Sequence, residues 1–423
     1  MRAQQRSLHP VAAALAVLGF LALAGCPVQA EIPGLTGTTF NLTAKPGYIS
    51  GADGLSLYIW GYANGAGRTQ YPGPTLIVNQ GDLITINLTN KLAQRTSIVF
   101  PGQTGVTATG GTQPPGALTA EADPNTTVTY TFTASEPGTY QYHSGTRPDL
   151  QVELGLIGAL IVRPAGFDPN EPRAYAHASS AYDREYLFLL TEMDYNIHRL
   201  AERRRWTQID TTTFYPVYWF INGRNLPDVL FPDFTPWLPS QPYSCLPRMH
   251  PGDKVLMRVI GGGRDPHPFH THGNNVTIIA RDGRLLESTP GSGADLATSN
   301  FTIAAPPGQT VDALFEWTGA KLGWDIYGHK PQDPLQPFED PDDHGKPLPV
   351  ALPHPYSLTF GSMYSGSPFL GQMGPVPPGH PMQMGGYFHM WHSHSEKELC
   401  NNDIFPGGMG TMLIIDAHTM PIP

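Results

Sequence analysis

Short stretches that alternate apolar and polar residues recur along the chain, with Gly, Pro, Asn and Asp between them. "DLITINLTN" from Asp82 and "TVTYTFTA" from Thr127 have the period of two that sends successive side chains to opposite faces of a half-buried strand. "LIGALIVRP" from Leu156 is nearly all apolar, as a strand is when both of its faces are covered. After a polar, Pro-containing stretch the pattern resumes in "YLFLLTEMD", "VYWFING", "KVLMRVI", "NVTIIARDG" and "DALFEWTG", and "GMGTMLIID" gives a last strand near the end. The two halves share a plan of strands, a histidine-bearing strand, a Gly-rich turn and a terminal apolar strand. The pattern predicts an all-β chain of two related β-sandwiches.

The expected divisions are a targeting segment at 1–30, a first sandwich at 31–165, a linker at 166–184 and a second sandwich at 185–423. The second sandwich contains an irregular insertion over about 325–385. Its Pro331 to Tyr356 portion is dense in proline and aspartate, which break strands. In the targeting segment, Arg2 and Arg6 precede an apolar run from Val11 to Ala24 that is too short to span a bilayer as a folded helix, so an exported chain is expected. Two cleavage patterns stand open. Leu23-Ala24-Gly25-Cys26 fits a lipoprotein box with a lipid anchor on Cys26, and Val28-Gln29-Ala30 fits ordinary removal. Periplasmic, outer-membrane-anchored and extracellular destinations all follow.

Composition narrows the chemistry. Charged residues make up only 14%, against 46 Gly and 44 Pro, which suits strands and turns rather than long surface helices. A net charge of -10 without basic runs excludes a nucleic-acid partner. Cys245 and Cys400 remain in the mature chain, and in an oxidising compartment they are expected to form a disulfide; a copper thiolate at Cys400 is the competing reading.

Sixteen histidines in an acidic chain are the unusual feature. "HPFHTHG" supplies His267, His270 and His272, and "HMWHSH" supplies His389, His392 and His394. On a strand, His270 with His272 and His392 with His394 each point two imidazoles one way, which suits copper, zinc, iron or nickel. His177, His198, His344, His354 and His418 have no motif context and read as surface residues. Eight of the 12 methionines lie from Met363 onward, several beside His380 and His389, so this segment reads equally as a soft Cu(I)-gathering stretch or as a loop. "GGGRDP" from Gly261 reads as a bend toward the histidine-bearing strand, since no phosphate-loop signature follows.

"HPFHTHG" resembles the His-Pro-x-His-x-His-Gly motif of multicopper oxidases. "PGTYQYHSG" from Pro137 resembles the end of their first cupredoxin domain, and "WHSHSEKELCNNDIFPGGMGTMLI" their terminal His-Cys-His segment. The resemblance implies two Greek-key cupredoxin-like domains, a bacterial two-domain member of the family, and a homotrimer. It implies a copper cofactor of one or two ions held by His143, His270, His272, His392 and His394, with His267 and His389 as further ligands or supports. The partners it implies are a small-molecule or metal-ion reductant, dioxygen, and an external electron donor. Departures matter as much. Val99, Phe100 and Pro101 stand where the family has its first histidine pair, and Gly145 replaces the partner of His143. Ser393 replaces the cysteine of the blue type 1 copper, Glu398 stands in place of its second histidine, and Met409 comes later than the axial methionine. A serine hydroxyl cannot replace the soft thiolate, so a blue centre and four-electron reduction of dioxygen are not expected. The resulting expectation is an oxidoreductase with a histidine-rich copper site between domains. Its rival is a non-catalytic copper-binding protein for tolerance or storage.

Overall fold

A computed structural model describes residues 32–321, 323, 325, 329–336, 338–346, 387–416, 418 and 420–422. The targeting segment with Cys26, His354, and most of the Met-rich stretch lie outside the described residues. Strands dominate, as expected from the pattern, and they form four sheets stacked as two sandwiches.

In the first sandwich, a five-stranded sheet runs in the order Ser56–Asn64, Thr39–Ser50, Leu83–Asn90, Thr127–Thr133, Thr107–Thr109. It faces a four-stranded sheet ordered Leu35–Thr36, Leu76–Asn79, Ile157–Arg163, Gly138–His143. Alternation decides the inner face: Ile84, Ile86 and Leu88 are buried against Val128, Tyr130 and Phe132, while the residues between them look outward. The Ile157–Arg163 strand is buried at every position. Leu160 and Val162 enter the first core, while Ile157, Ala159 and Ile161 enter a separate apolar cluster with Leu187, Leu189, Phe220 and Ile260 of the second sandwich. Its continuous apolar run thus reflects one strand serving two interfaces.

The second sandwich pairs a seven-stranded sheet, which includes Arg184–Met193, Lys254–Gly261, Thr310–Glu316 and Val276–Arg281, with a five-stranded one. The five-stranded sheet runs Arg248–Met249, Gly410–Ile415, Tyr387–Ser393, His267–Thr271, Thr302–Ala305. Phe188, Phe269, Phe315 and Trp391 meet in its core, with the Phe315 and Trp391 rings 4.9 Å apart and edge-on.

A buried charged network also joins the sandwiches. Glu185 accepts hydrogen bonds from Arg163 of the first sandwich (Nη1, 2.7 Å) and Arg258 of the second (Nε, 2.8 Å). Arg258 reaches Thr139 at 3.0 Å, and Asp312 accepts from Thr139 and from Tyr175 at 2.6 Å. Burial pushes the Glu185 carboxyl up, but the guanidinium groups of Arg258 and Arg163 outweigh it and hold the pKa at about 2.

The expected Cys245–Cys400 disulfide is absent: both cysteines are free. Cys245 sits in the apolar core with its thiol toward the Leu187 carbonyl at 3.6 Å, whereas Cys400 caps a short helical turn, Glu396–Leu399, and is partly exposed. His198, expected at the surface, is fully buried, with its ring between the carbonyls of Tyr58 (2.5 Å) and Glu153 (3.0 Å).

Replacing Glu185 by Ala strands two buried guanidinium groups and should cost about 3–5 kcal/mol of unfolding free energy, measured by urea denaturation. A loss below about 1 kcal/mol, the size of an exposed ion pair, would show that the network contributes little.

Candidate metal centre

The histidine-bearing strands His267–Thr271 and Tyr387–Ser393 are neighbours and antiparallel, with His270 directly opposite His392 and Phe269 opposite Ser393. Strand parity then sorts the side chains. Phe269 and Trp391 point into the core, and His267, His389 and Ser393 share their parity and are buried with them. His270, His272, His392 and His394 take the other face.

Those four rings converge. His270 lies 4.8 Å from His272, 5.7 Å from His392 and 4.9 Å from His394, centroid to centroid. His272 and His392 are 5.1 Å apart, and their Nε2 atoms meet at 3.2 Å. Two facing ring nitrogens either share a proton in opposed tautomers or turn both lone pairs toward one cation. The outer nitrogens are partly fixed: His270 Nδ1 is 3.2 Å from the Thr302 hydroxyl, and His392 Nδ1 is 2.6 Å from the Ser393 carbonyl. His272 Nδ1 is buried without a hydrogen-bond partner. Burial, then the neighbouring rings, press His270 and His272 down to about 4, and burial lowers His392 as well. Near neutral pH these rings are uncharged and carry lone pairs, the form that ligates metals. His394 is the exposed member, with 53% of its side chain open to solvent.

His143 ends a strand of the first sandwich, and no ring contact joins it to the four-ring cluster among the described residues. Its Nδ1 is 3.0 Å from the Ser144 carbonyl, the same local arrangement as at His392, and burial lowers its pKa. Val99 bridges to His143 through both backbone groups, and a Cβ added to Gly145 would meet Val99 at 2.7 Å. The positions where the resemblance places three further histidines therefore surround His143, filled by small or apolar groups.

His267 does not behave as a free ligand. Its Nδ1 is 2.8 Å from Glu398 Oε2 and its Nε2 is 2.9 Å from Glu192 Oε2, all three groups buried. Burial alone would lower its pKa, but the bonds to Glu192 and Glu398 outweigh it and raise the value to about 9. Both ring nitrogens are thus engaged by carboxylates, an arrangement that favours the protonated ring. In this structure His267 therefore stands in an ion-paired triad beside the four rings rather than among them. Ser393 and Met409 adjoin this triad: Ser393 N donates to Met409 O at 2.9 Å, and Met409 N donates to Glu398 O at 2.7 Å. His389 lies on the same inward side as His267. It is fully buried, packs against Trp317 at 5.8 Å, and faces away from the four rings.

Glu192 was missed by sequence reasoning, although a carboxylate within the apolar run "YLFLLTEMD" is a signal for a buried partner. Its Oε1 accepts from the backbone N–H of Arg264 and Asp265. A Cβ on Gly263 would lie 1.7 Å from its Oε2. Gly263 of "GGGRDP" therefore makes room for a carboxylate, a more specific role than the bend expected.

Comparison with known proteins bears on the family likeness and the fold. Residues 57–166 match the family model described as "Multicopper oxidase". The chain is 27% identical over 346 residues to copper resistance protein A of Escherichia coli, across 74% of this chain and 51% of that protein. The protein of that name from Pseudomonas syringae pv. tomato is 26% identical over 377 residues, across 76% and 55%. Among solved structures, the blue copper oxidase from Nitrosomonas europaea superimposes with a TM-score of 0.56 at 19% identity, across 90% of this chain and 86% of that one. The chain is multicopper oxidase-like. Its fold is that of the all-β cupredoxin-like domains, and it spans about half the length of the curated relatives it matches. Among the described residues, no helix of this multicopper oxidase-like chain is long and apolar enough to cross a membrane.

The His267 triad gives a signed pH dependence. Its folded pKa of about 9 lies above the ordinary 6.5, so its contribution to stability is complete below about pH 6.5 and is lost as pH rises through about 9. Urea unfolding from about pH 6 to about pH 9.5 should show a loss on the order of 3 kcal/mol that His267→Gln lacks. The ring is faced by Glu192 and Glu398, with Asp265 and Arg264 beside them; an equal slope in both proteins would assign the effect to other groups.

Proposed function

We propose that this is an exported, copper-binding oxidoreductase of the multicopper oxidase kind, with domains at 31–165 and 185–423 joined by 166–184. The observation that carries the reading is the all-imidazole cluster of His270, His272, His392 and His394 on the outer face of the second sandwich. The donor set fits copper: four converging imidazoles, three of them with pKa values lowered by burial, and His272 Nδ1 buried with no partner. His270, His272 and His392 would hold the ion from the strands, and His394 would hold it at the exposed edge. Bound copper would supply one-electron redox chemistry with an open coordination position for dioxygen or a reductant.

The chain's own residues define what else the site does. The Thr302 hydroxyl and the Ser393 carbonyl orient the outer nitrogens of His270 and His392. Exposure of His394 gives a small reductant or metal ion direct access. At the position of the blue-copper cysteine stands Ser393, and the neighbouring His267 is closed off by Glu192 and Glu398, so electrons would enter at the four-ring cluster itself. His143, apart from that cluster in one chain, would serve as a ligand contributed by a second copy, consistent with a trimer. The relatives named for copper resistance favour a second reading, a non-catalytic copper-binding protein for tolerance or storage.

The test is copper analysis with electron paramagnetic resonance on the purified protein, followed by oxygen uptake with phenolic, Fe(II), Mn(II) and Cu(I) donors. Stoichiometric copper without intense blue absorption is expected. His270→Ala/His392→Ala should weaken copper binding by at least the about 10–100-fold that losing a supporting residue typically costs. Turnover supports the oxidoreductase, bound copper without turnover supports storage, and no bound copper rejects both.

A further inference from the structure

A second convergence of ligand-bearing side chains stands apart from the four-ring cluster, in the loop that follows the Thr310–Glu316 strand. Asp325, His329, Glu339 and His344 each present one ligand atom, and these atoms all lie within 4.8 Å of one another. His329 Nδ1 is 3.0 Å from Asp325 Oδ2 and also contacts Glu339 Oε1. His344 Nδ1 is 3.1 Å from Glu339 Oε2 and 3.9 Å from Asp325 Oδ2. Both imidazoles therefore address the same two carboxylates through the same ring atom.

The backbone is folded to hold this set. Asp325 N donates to Lys346 O at 3.0 Å, and Gly345 N donates to the Asp325 carboxylate at 3.2 Å, so the two ends of the loop are joined at the cluster. Between them, Asp333 N returns to Lys330 O, Glu339 N to Gln336 O, and both Asp343 N and His344 N to Asp340 O. Gly323 N reaches the Asp343 carboxylate at 3.1 Å. Phe338, one residue before Glu339, stacks on His418 at 4.2 Å, and His418 stacks on His250 at 4.9 Å, which ties the loop to the second sandwich.

The orientation of His344 asks for a cation. Its Nε2 is 2.9 Å from the Asp333 carbonyl, so that nitrogen carries the proton and donates it. The other nitrogen, Nδ1, either carries a second proton toward Glu339, the state its raised pKa favours when no ion is present, or turns a lone pair to a cation held between the carboxylates. A ring nitrogen bonded outward to a carbonyl, with its opposite nitrogen aimed at carboxylates, is the arrangement that orients metal-bound histidines. Two imidazoles and two carboxylates form the borderline donor set of zinc. At zinc bond lengths of about 2.0–2.2 Å, tetrahedral ligand atoms stand roughly 3.3–3.5 Å apart. The contacts of 3.0, 3.1 and 3.9 Å lie near that spacing, while His329 and Glu339 stand closer and would have to part to admit an ion.

We propose that Asp325, His329, Glu339 and His344 form a structural site for a divalent ion of the zinc class, separate from the four-histidine cluster. Four protein ligands close the coordination sphere, so the ion would pin the loop rather than react. The proposal stands whether or not the four-ring cluster binds copper.

The full-length protein, stripped with chelator, is titrated with Zn²⁺ alone and then with Co²⁺ as a spectroscopic probe. One tight Zn²⁺ per chain and the visible absorption of four-coordinate cobalt are expected in the wild type and in His270→Ala/His392→Ala. Added to the His270→Ala/His392→Ala background, so that the four-ring cluster cannot take up zinc, His329→Ala/His344→Ala should lose both, with at least tenfold weaker Zn²⁺ binding. Should that variant fail to fold by circular dichroism, Glu339→Gln decides, with the same tenfold loss expected. The proposal is overturned if the wild type binds no Zn²⁺ that the four-ring variant retains, since protonated rings then balance the carboxylates. Undiminished binding in the loop variants overturns it equally.

Discussion

Everything distinctive about the centre depends on one strand pairing, His267–Thr271 against Tyr387–Ser393, with His270 opposite His392. Because side chains alternate along a strand, this register puts four imidazoles on the outer face and sends His267, His389 and Ser393 into the core with Phe269 and Trp391. A slip by one residue would bury the four rings and expose the core aromatics. The packing of Trp391 against Phe188 and Phe315 therefore secures the geometry of the cluster as well as the stability of the sandwich.

The inward set solves a different problem. A histidine buried among apolar groups is stable only when its polar atoms are paired. Here Glu192 and Glu398 bind both nitrogens of His267, and the loop at Gly263 leaves room for the Glu192 carboxylate. The result is a histidine held between two carboxylates where the resemblance places a metal, with both of its ring nitrogens paired.

Much of this was legible in the sequence. Period-two alternation marked the strands, and the two His-x-His pairs indicated which rings share a face, since spacing alone decides that. The role of His267 was not legible, because its partners lie 75 and 131 positions away and only folding brings them together. The Cys245–Cys400 pairing was expected from cysteine count alone, and counting says nothing about whether two thiols meet. His143 matched a motif, yet the motif carries no information on the distance between sandwiches. His198 shows the same limit: without a periodic context, nothing marked it as a buried link between the Tyr58 and Glu153 carbonyls.

The Glu185 network has a consequence for assembly. Pulling the sandwiches apart would leave Arg163 or Arg258 as an uncompensated charge in a dry interface, so hinge motion between them is energetically closed. Under the proposed assembly, in which a second copy supplies His143, a centre that uses all five histidines would be completed in trans. Dissociating such an assembly would then dismantle the centre while leaving each chain folded, and copy number would control metal occupancy.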